Sequence, residues 1–252
     1  MSTAVSPPRS DVRFRALIFS RTTGFRHTEC IEHGTAAIAE LASRERFTVD
    51  ATEDPAAFSD AELAGYDVVI WLSTSGDVLD DEQKAAFERY IRAGHGFAGI
   101  HSASGTEYDW PWYGGLVGAY FRDHPGRINP QFQTATIDVE DRGSAATTGL
   151  PARWTREEEW YSFRSNPRRD VHVLLSVDER TYDPRGYGEP DGSPPMGDHP
   201  IAWCRRYDGG RSFFTALGHK AVYWTEPLLL GHVLGGIEMA AGRAPFNVTP
   251  RR

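Results

Sequence analysis

The sequence predicts a doubly wound α/β fold on a mainly parallel sheet, with an added β-rich C-terminal half. Three observations carry this reading. From Phe14 to Ile100 short apolar runs alternate with helical periods, and a parallel strand connection needs a crossover element, so the strands must be covered on both faces. After Trp112 strand-like runs follow one another without full helices between them. The 252 residues, 40% hydrophobic and 25% charged, match globular averages and exclude wholesale disorder or a fibrous architecture. At roughly 150 residues per domain that length gives one elaborated domain. We place it at 13–245, behind a disordered tail at 1–12.

Taken in order, Arg15-Ala-Leu-Ile-Phe19 reads as a buried strand and 20–27 as a loop. Ile31, Thr35, Ile38 and Leu41 then share one helix face behind Thr28, the candidate N-cap. Phe47–Ala51 is the second strand and Asp67–Leu72 the third, fully apolar after its first residue. Asp80 caps a helix carrying Phe87, Tyr90 and Ile91, which Gly94 stops. Gly96–Ile100 is the fourth strand. Later runs at Gln133–Val139, Val171–Val177 and Ile201–Tyr207 read as strands, and Asp208-Gly-Gly210 turns the last into Arg211–Ala216 as a hairpin. Residues 181–199 form a long irregular loop of the functional or mobile kind. A closing helix spans about Pro227 to Ala241.

Charge and composition narrow the partners. A formal net charge of −8 without a Lys/Arg run argues against nucleic acid. The longest apolar stretch, Val68–Leu72, is far short of the roughly 20 residues that span a bilayer. The first ten residues lack a secretory pattern, so the expected location is cytoplasmic. Cys30 and Cys204 sit in no metal-type spacing and are expected to be buried thiols. Leu228-Leu-Leu230 and Val233-Leu234 on the closing helix fit either a core face or a homodimer contact.

Ligands of doubly wound sheets bind beyond the carboxyl ends of the strands, here the loops 20–28, 73–78 and 101–112. The sharpest feature there is Gly99-Ile100-His101-Ser102-Ala103, a strand-to-helix elbow that exposes His101. Histidine can exchange a proton near neutral pH or bind a metal, or simply cap the turn; Ser102 can touch a ligand or cap a helix. Glu107-Tyr-Asp-Trp-Pro-Trp-Tyr113 sets Tyr108, Trp110 and Trp112 at the same edge, where the indoles could stack on a sugar or pack in the core. His124 follows. In Glu157-Glu-Glu-Trp-Tyr161 an extended chain would put Glu157 and Glu159 on one face and Glu158 on the other; a charge triplet is usually solvated, yet the flanking aromatics argue against complete exposure and leave Glu159 as a functional candidate.

These residues resemble the trehalose-utilisation, or ThuA-like, family, a branch of the class I glutamine amidotransferase-like superfamily. The resemblance runs from about Phe14 to Gly242. It rests on Gly24-Phe-Arg-His27, Tyr66-Asp-Val-Val69, Gly94-His-Gly-Phe-Ala-Gly-Ile-His-Ser102, Tyr108-Asp-Trp-Pro-Trp-Tyr113, Phe121 with His124-Pro125, Glu158-Glu-Trp-Tyr161, His199-Pro-Ile-Ala-Trp203, and Gly210-Arg211 leading to Ala216-Leu-Gly-His219. It implies a flavodoxin-like sheet and adds Tyr161 and His219 to the binding residues. The chain departs from the family at Asp141-Arg-Gly-Ser-Ala145, where a His-Pro pair is common. In true amidotransferases the elbow holds Cys, and a late His is followed two residues on by Glu. Here His101 and His219-Lys-Ala221 stand instead, so that triad cannot hydrolyse glutamine.

Two functions follow. The family's association with sugar oxidoreductases implies an enzyme of disaccharide catabolism acting on glycosides oxidised to a ketone at C3. His101, His27, His124 and Glu159 would supply base, acid and enolate stabiliser, and a divalent metal such as zinc held by some of them could act as Lewis acid. The other is a non-catalytic sugar-binding or regulatory domain. Converging ionisable residues favour the enzyme.

Overall fold

The computed structural model describes residues 12–188, 191–246 and 248. The expected tail at 1–12 lies outside these residues apart from Val12. The first half comprises β1 (Arg15–Phe19), α1 (Thr28–Glu45), β2 (Thr48–Thr52), α2 (Asp60–Leu63), β3 (Val68–Leu72), α3 (Asp81–Arg92), β4 (Gly96–Ile100) and α4 (Pro111–Val117). The second half comprises β5 (Phe121–Asp123), β6 (Phe132–Val139), β7 (Arg153–Glu159), β8 (Ser162–Phe163), β9 (His172–Val177), β10 (Pro200–Tyr207), β11 (Gly210–Thr215) and α5 (Pro227–Ala240).

One nine-stranded sheet runs in the order β2-β1-β3-β4-β11-β10-β9-β6-β7, with β5 and β8 paired separately. Strands β2, β1, β3, β4 and β11 are parallel, and from β10 onward the pairings are antiparallel. The β-rich half is thus a continuation of the same sheet. Strands β3 and β4 are buried along their whole length because helices cover both faces. Trp71 packs on Phe87 of α3 and Tyr113 of α4, while its neighbour Leu72 faces α1 at Gly34. Helix α5 sits on β11, and a Cβ on Gly236 would lie 2.2 Å from the Phe213 ring, so only glycine permits this approach.

Local chemistry explains most boundaries. Asp80 and Gln83 form a reciprocal capping box for α3, and Gly94 with φ of 96° ends the turn beyond it. Thr28, expected as an N-cap, is instead the first residue of α1; His27 holds the cap position and makes no side-chain cap bond, because its ring turns toward other histidines. In α5, Leu229 and Val233 are fully buried and Leu228 is 37% exposed. Cys30 and Cys204 are buried, as expected. No helix among the described residues is long and apolar enough to cross a membrane.

Candidate active site

The parallel strands deliver three histidines to one place. His27 closes the loop after β1, which is pinned to the loop after β3 by Thr23 and Gly24 amides donating to the Ser75 carbonyl at 2.9 and 3.3 Å. His101 is the residue after β4, with φ of 55°, and its ring is fully buried. His219 follows β11. The His27 ring lies 4.7 Å from that of His101 and 5.0 Å from that of His219, centroid to centroid. The antiparallel extension adds Glu159 from the end of β7 and Tyr161 just beyond it. His219 Nδ1 is 2.8 Å from Glu159 Oε2 and 3.0 Å from His101 Nε2; that Nε2 is 3.4 Å from Glu159 Oε2 and 3.0 Å from the Tyr161 hydroxyl. One donor atom each from His27, His101, Glu159 and His219 lie within 4.8 Å of one another.

Hydrogen bonds orient these groups. His101 Nδ1 faces the Ala216 carbonyl at 2.9 Å, so Nδ1 carries the ring proton and Nε2 presents a lone pair to the cluster. Burial, reinforced by the His101 and His219 rings, pushes His27 down to about 2, so its ring is neutral. Burial alone would raise Glu159, but the imidazoles beside it, His101 at 3.4 Å and His219 at 2.8 Å, hold its carboxyl far below the usual range. Its Oε1 accepts from Gln131 Nε2 at 2.5 Å and lies 3.3 Å from His124 Nε2. Burial and the Glu159 charge raise Tyr161 well above an ordinary phenol, which keeps it a proton donor.

Glu158 is buried as well. Its carboxylate accepts from Arg156 at 3.2 Å and from the Gly218 amide at 2.9 Å, which holds the chain just before His219. Arg156 in turn is sandwiched by the Trp154 and Tyr223 rings and paired with Glu226 at 2.9 Å. A cleft of about 480 Å³, within the range of small-molecule sites, opens beside the cluster, lined by Phe25, His27, Phe132, His219 and Lys220 among others. Phe25 is 73% exposed there, and Phe25 and Phe132 set their rings edge-on to His27 and His219.

Residues 15–240 match the family model described as ThuA, trehalose utilisation. The chain belongs to that family. Among solved structures it is similar to a ThuA-like protein of Bacteroides uniformis, at 24% identity and a TM-score of 0.73 over 94% of both chains. It is also similar to one from Parabacteroides merdae, at 18% identity and a TM-score of 0.69 over 93% of this chain and 92% of that one. A β-galactosidase of Bacillus circulans sp. alkalophilus shares the fold over 94% of this chain and 31% of its own, at 13% identity and a TM-score of 0.51. No curated protein matches the sequence.

Not every residue expected at the site of this ThuA chain reaches it. Trp110 and Trp112 stack on each other at 5.2 Å and donate to Glu88 and Asp208, so they cover α3 and the β10–β11 turn; the helix of α4, started by Pro111, carries them there. Tyr108 lies under the Arg164 guanidinium and donates to the Phe121 carbonyl, one layer from the histidines. Ser102 caps nothing: its Oγ is buried without a hydrogen-bond partner. The alternation expected of 157–159 holds through Glu158 and breaks at Glu159: Glu157 is exposed and bound to Lys220. Glu158 and Glu159 are both buried because β7 ends there and the Glu158 carboxylate folds back onto the Glu159 amide. Phe25, Phe132, Gln131 and Arg156 were not anticipated. The one usable signal was Phe25, an aromatic beside His27 in a loop already assigned to the ligand edge.

Proposed function

We propose that the protein is a carbohydrate-catabolism enzyme that cleaves glycosides carrying a ketone at C3. The observation that carries this reading is the convergence of three imidazoles, a carboxylate and a phenol beside an aromatic-walled cleft. A module that only binds sugar gains nothing from so many buried ionisable groups. A C3 ketone acidifies the C2 hydrogen. A base removes that proton, the electron pair moves into the ketone as an enolate, and the C1–O bond breaks as the enolate re-forms the ketone. The leaving oxygen takes a proton, and water then adds at C1 while a proton returns to C2. The balance is hydrolysis.

In this reading the ketone oxygen accepts hydrogen bonds from the rings of His27 and His219, which border the cleft, while the buried His101 and Glu159 behind them hold those rings in place. His124 and the buried Tyr161 hydroxyl, which borders the His101 ring, move the protons, and Phe25 and Phe132 flank the sugar. An ordinary glycosidase instead places two carboxyl groups about the scissile bond, whereas Glu159 is tied up by histidines and Glu158 by Arg156 and backbone amides. The test is incubation with 3-keto-trehalose and with trehalose, following released monosaccharides. The expected result is release from the oxidised sugar alone, abolished by His101→Ala and by Glu159→Gln. Cleavage of unoxidised trehalose, or tight sugar binding without turnover of any 3-keto-glycoside, contradicts the reading.

A further inference from the structure

We propose that His27, His101, His219 and Glu159 form a site for one divalent transition-metal ion of the zinc class, held by three imidazole nitrogens and one carboxylate oxygen. In a tetrahedral site with metal–nitrogen bonds of about 2.0–2.1 Å, donors sit about 3.3 Å apart. The closest pairs here, at 2.8, 3.0 and 3.4 Å, bracket that separation, and all four donors fall within 4.8 Å.

The donor chemistry points the same way. With Nδ1 of His101 turned to the Ala216 carbonyl, its Nε2 meets the Glu159 carboxylate, His219 Nδ1 and His27 at one point, and each of these groups can offer a lone pair there. Electron-rich atoms arranged in this way suit a cation. The surroundings resemble an outer coordination shell: His101 gives its other nitrogen to the Ala216 carbonyl, and the second Glu159 oxygen is held by Gln131 and faces His124. Three imidazoles select zinc or its transition-metal neighbours over magnesium and calcium, which prefer all-oxygen sites. The cleft bounded by His27 and His219 gives access from solvent.

The ion's use rests on the proposed function, since it would stabilise the enolate, but its binding is measured without any sugar. The full-length chain, stripped with a chelator, is titrated calorimetrically with Zn²⁺ alone, and Co²⁺ uptake is followed by visible absorption. One equivalent per chain is expected. His101→Ala and His219→Ala, each confirmed as folded by circular dichroism, weaken uptake by more than about 100-fold, beyond the effect of losing an outer-shell partner. Leu228→Ala, an exposed position on α5 that supplies no donor, leaves uptake unchanged. Should an alanine variant not fold, Glu159→Gln, which keeps the side chain's size, takes its place. Failure of folded wild type to bind stoichiometrically, or wild-type uptake by a folded ligand variant, overturns the site. Zinc uptake without turnover of a 3-keto-glycoside refutes the function alone, and turnover without zinc uptake refutes the site alone.

Discussion

His101 occupies a left-handed backbone conformation, φ 55°, that a side chain other than glycine adopts at a penalty of about 1–2 kcal/mol. Strain at this position is what turns the chain sharply out of β4 and aims the imidazole at His219 and Tyr161. Replacing it by Gly or by Ala removes the same side-chain contacts, but only Gly also releases the strain. His101→Gly should therefore be more stable than His101→Ala by about 1 kcal/mol in urea unfolding. Equal stability of the two would show an unstrained elbow. This residue was legible in the sequence because it directly follows a buried strand and a Gly-rich turn. Phe132 was not, since a single Phe carries no signal that separates a cleft wall from a core residue, whereas Phe25 stands beside His27 in a loop already at the ligand edge. Trp110 and Trp112 differ for the converse reason: they follow the ligand edge in sequence, but the turn into α4 sets them against Glu88 and Asp208 in space.

At the scale of elements, α5 holds a buried ionisable group with a pH consequence. His232 sits against Phe213 with Nδ1 donating to the Ala146 carbonyl at 2.7 Å and Nε2 accepting from Thr215 at 3.0 Å, which fixes a neutral ring. Burial, and more weakly the Arg156 charge, lowers it from 6.5 to about 4. The unfolded chain binds this proton first, so the contribution to stability is complete above pH 6.5 and is lost as pH falls toward 4. At 1.36 kcal/mol per pH unit it amounts to about 3 kcal/mol. His232→Gln, which keeps a donor and an acceptor without titrating, should lose less stability than wild type between pH 7 and 4.5 by urea midpoints. Identical losses would mean that His232 is not buried neutral.

The legibility of elements followed their burial. Strands β1, β3 and β4 are apolar runs because both faces are covered, and they were located to within a residue. Strand β7 escaped a firm assignment because its buried face is Trp154, Arg156 and Glu158, so the apolar alternation that marks a strand is missing. Strands β5 and β8, of three and two residues, are too short to carry a period.

For the molecule as a whole, the site exists because one continuous sheet changes from parallel to antiparallel pairing. The parallel part brings His27, His101 and His219 to its carboxyl edge. The antiparallel part returns the end of β7 to the same edge and supplies Glu159 and Tyr161. Local sequence pointed to the first contribution through the rule for doubly wound sheets; the second depends on pairings between strands distant in sequence, and only the resemblance to ThuA-like proteins indicated Tyr161 and His219. The central claim is that this assembly removes the C2 proton of a 3-keto sugar. Proton NMR of 3-keto-trehalose in D₂O reads that step directly. Wild-type protein should wash out the C2 hydrogen of the oxidised ring, or release 3-keto-glucose deuterated at C2, at a rate proportional to enzyme and well above buffer, with His101→Ala and Glu159→Gln at the buffer rate. Release of 3-keto-glucose that retains its C2 protium, or exchange that both substitutions leave unchanged, would contradict this mechanism.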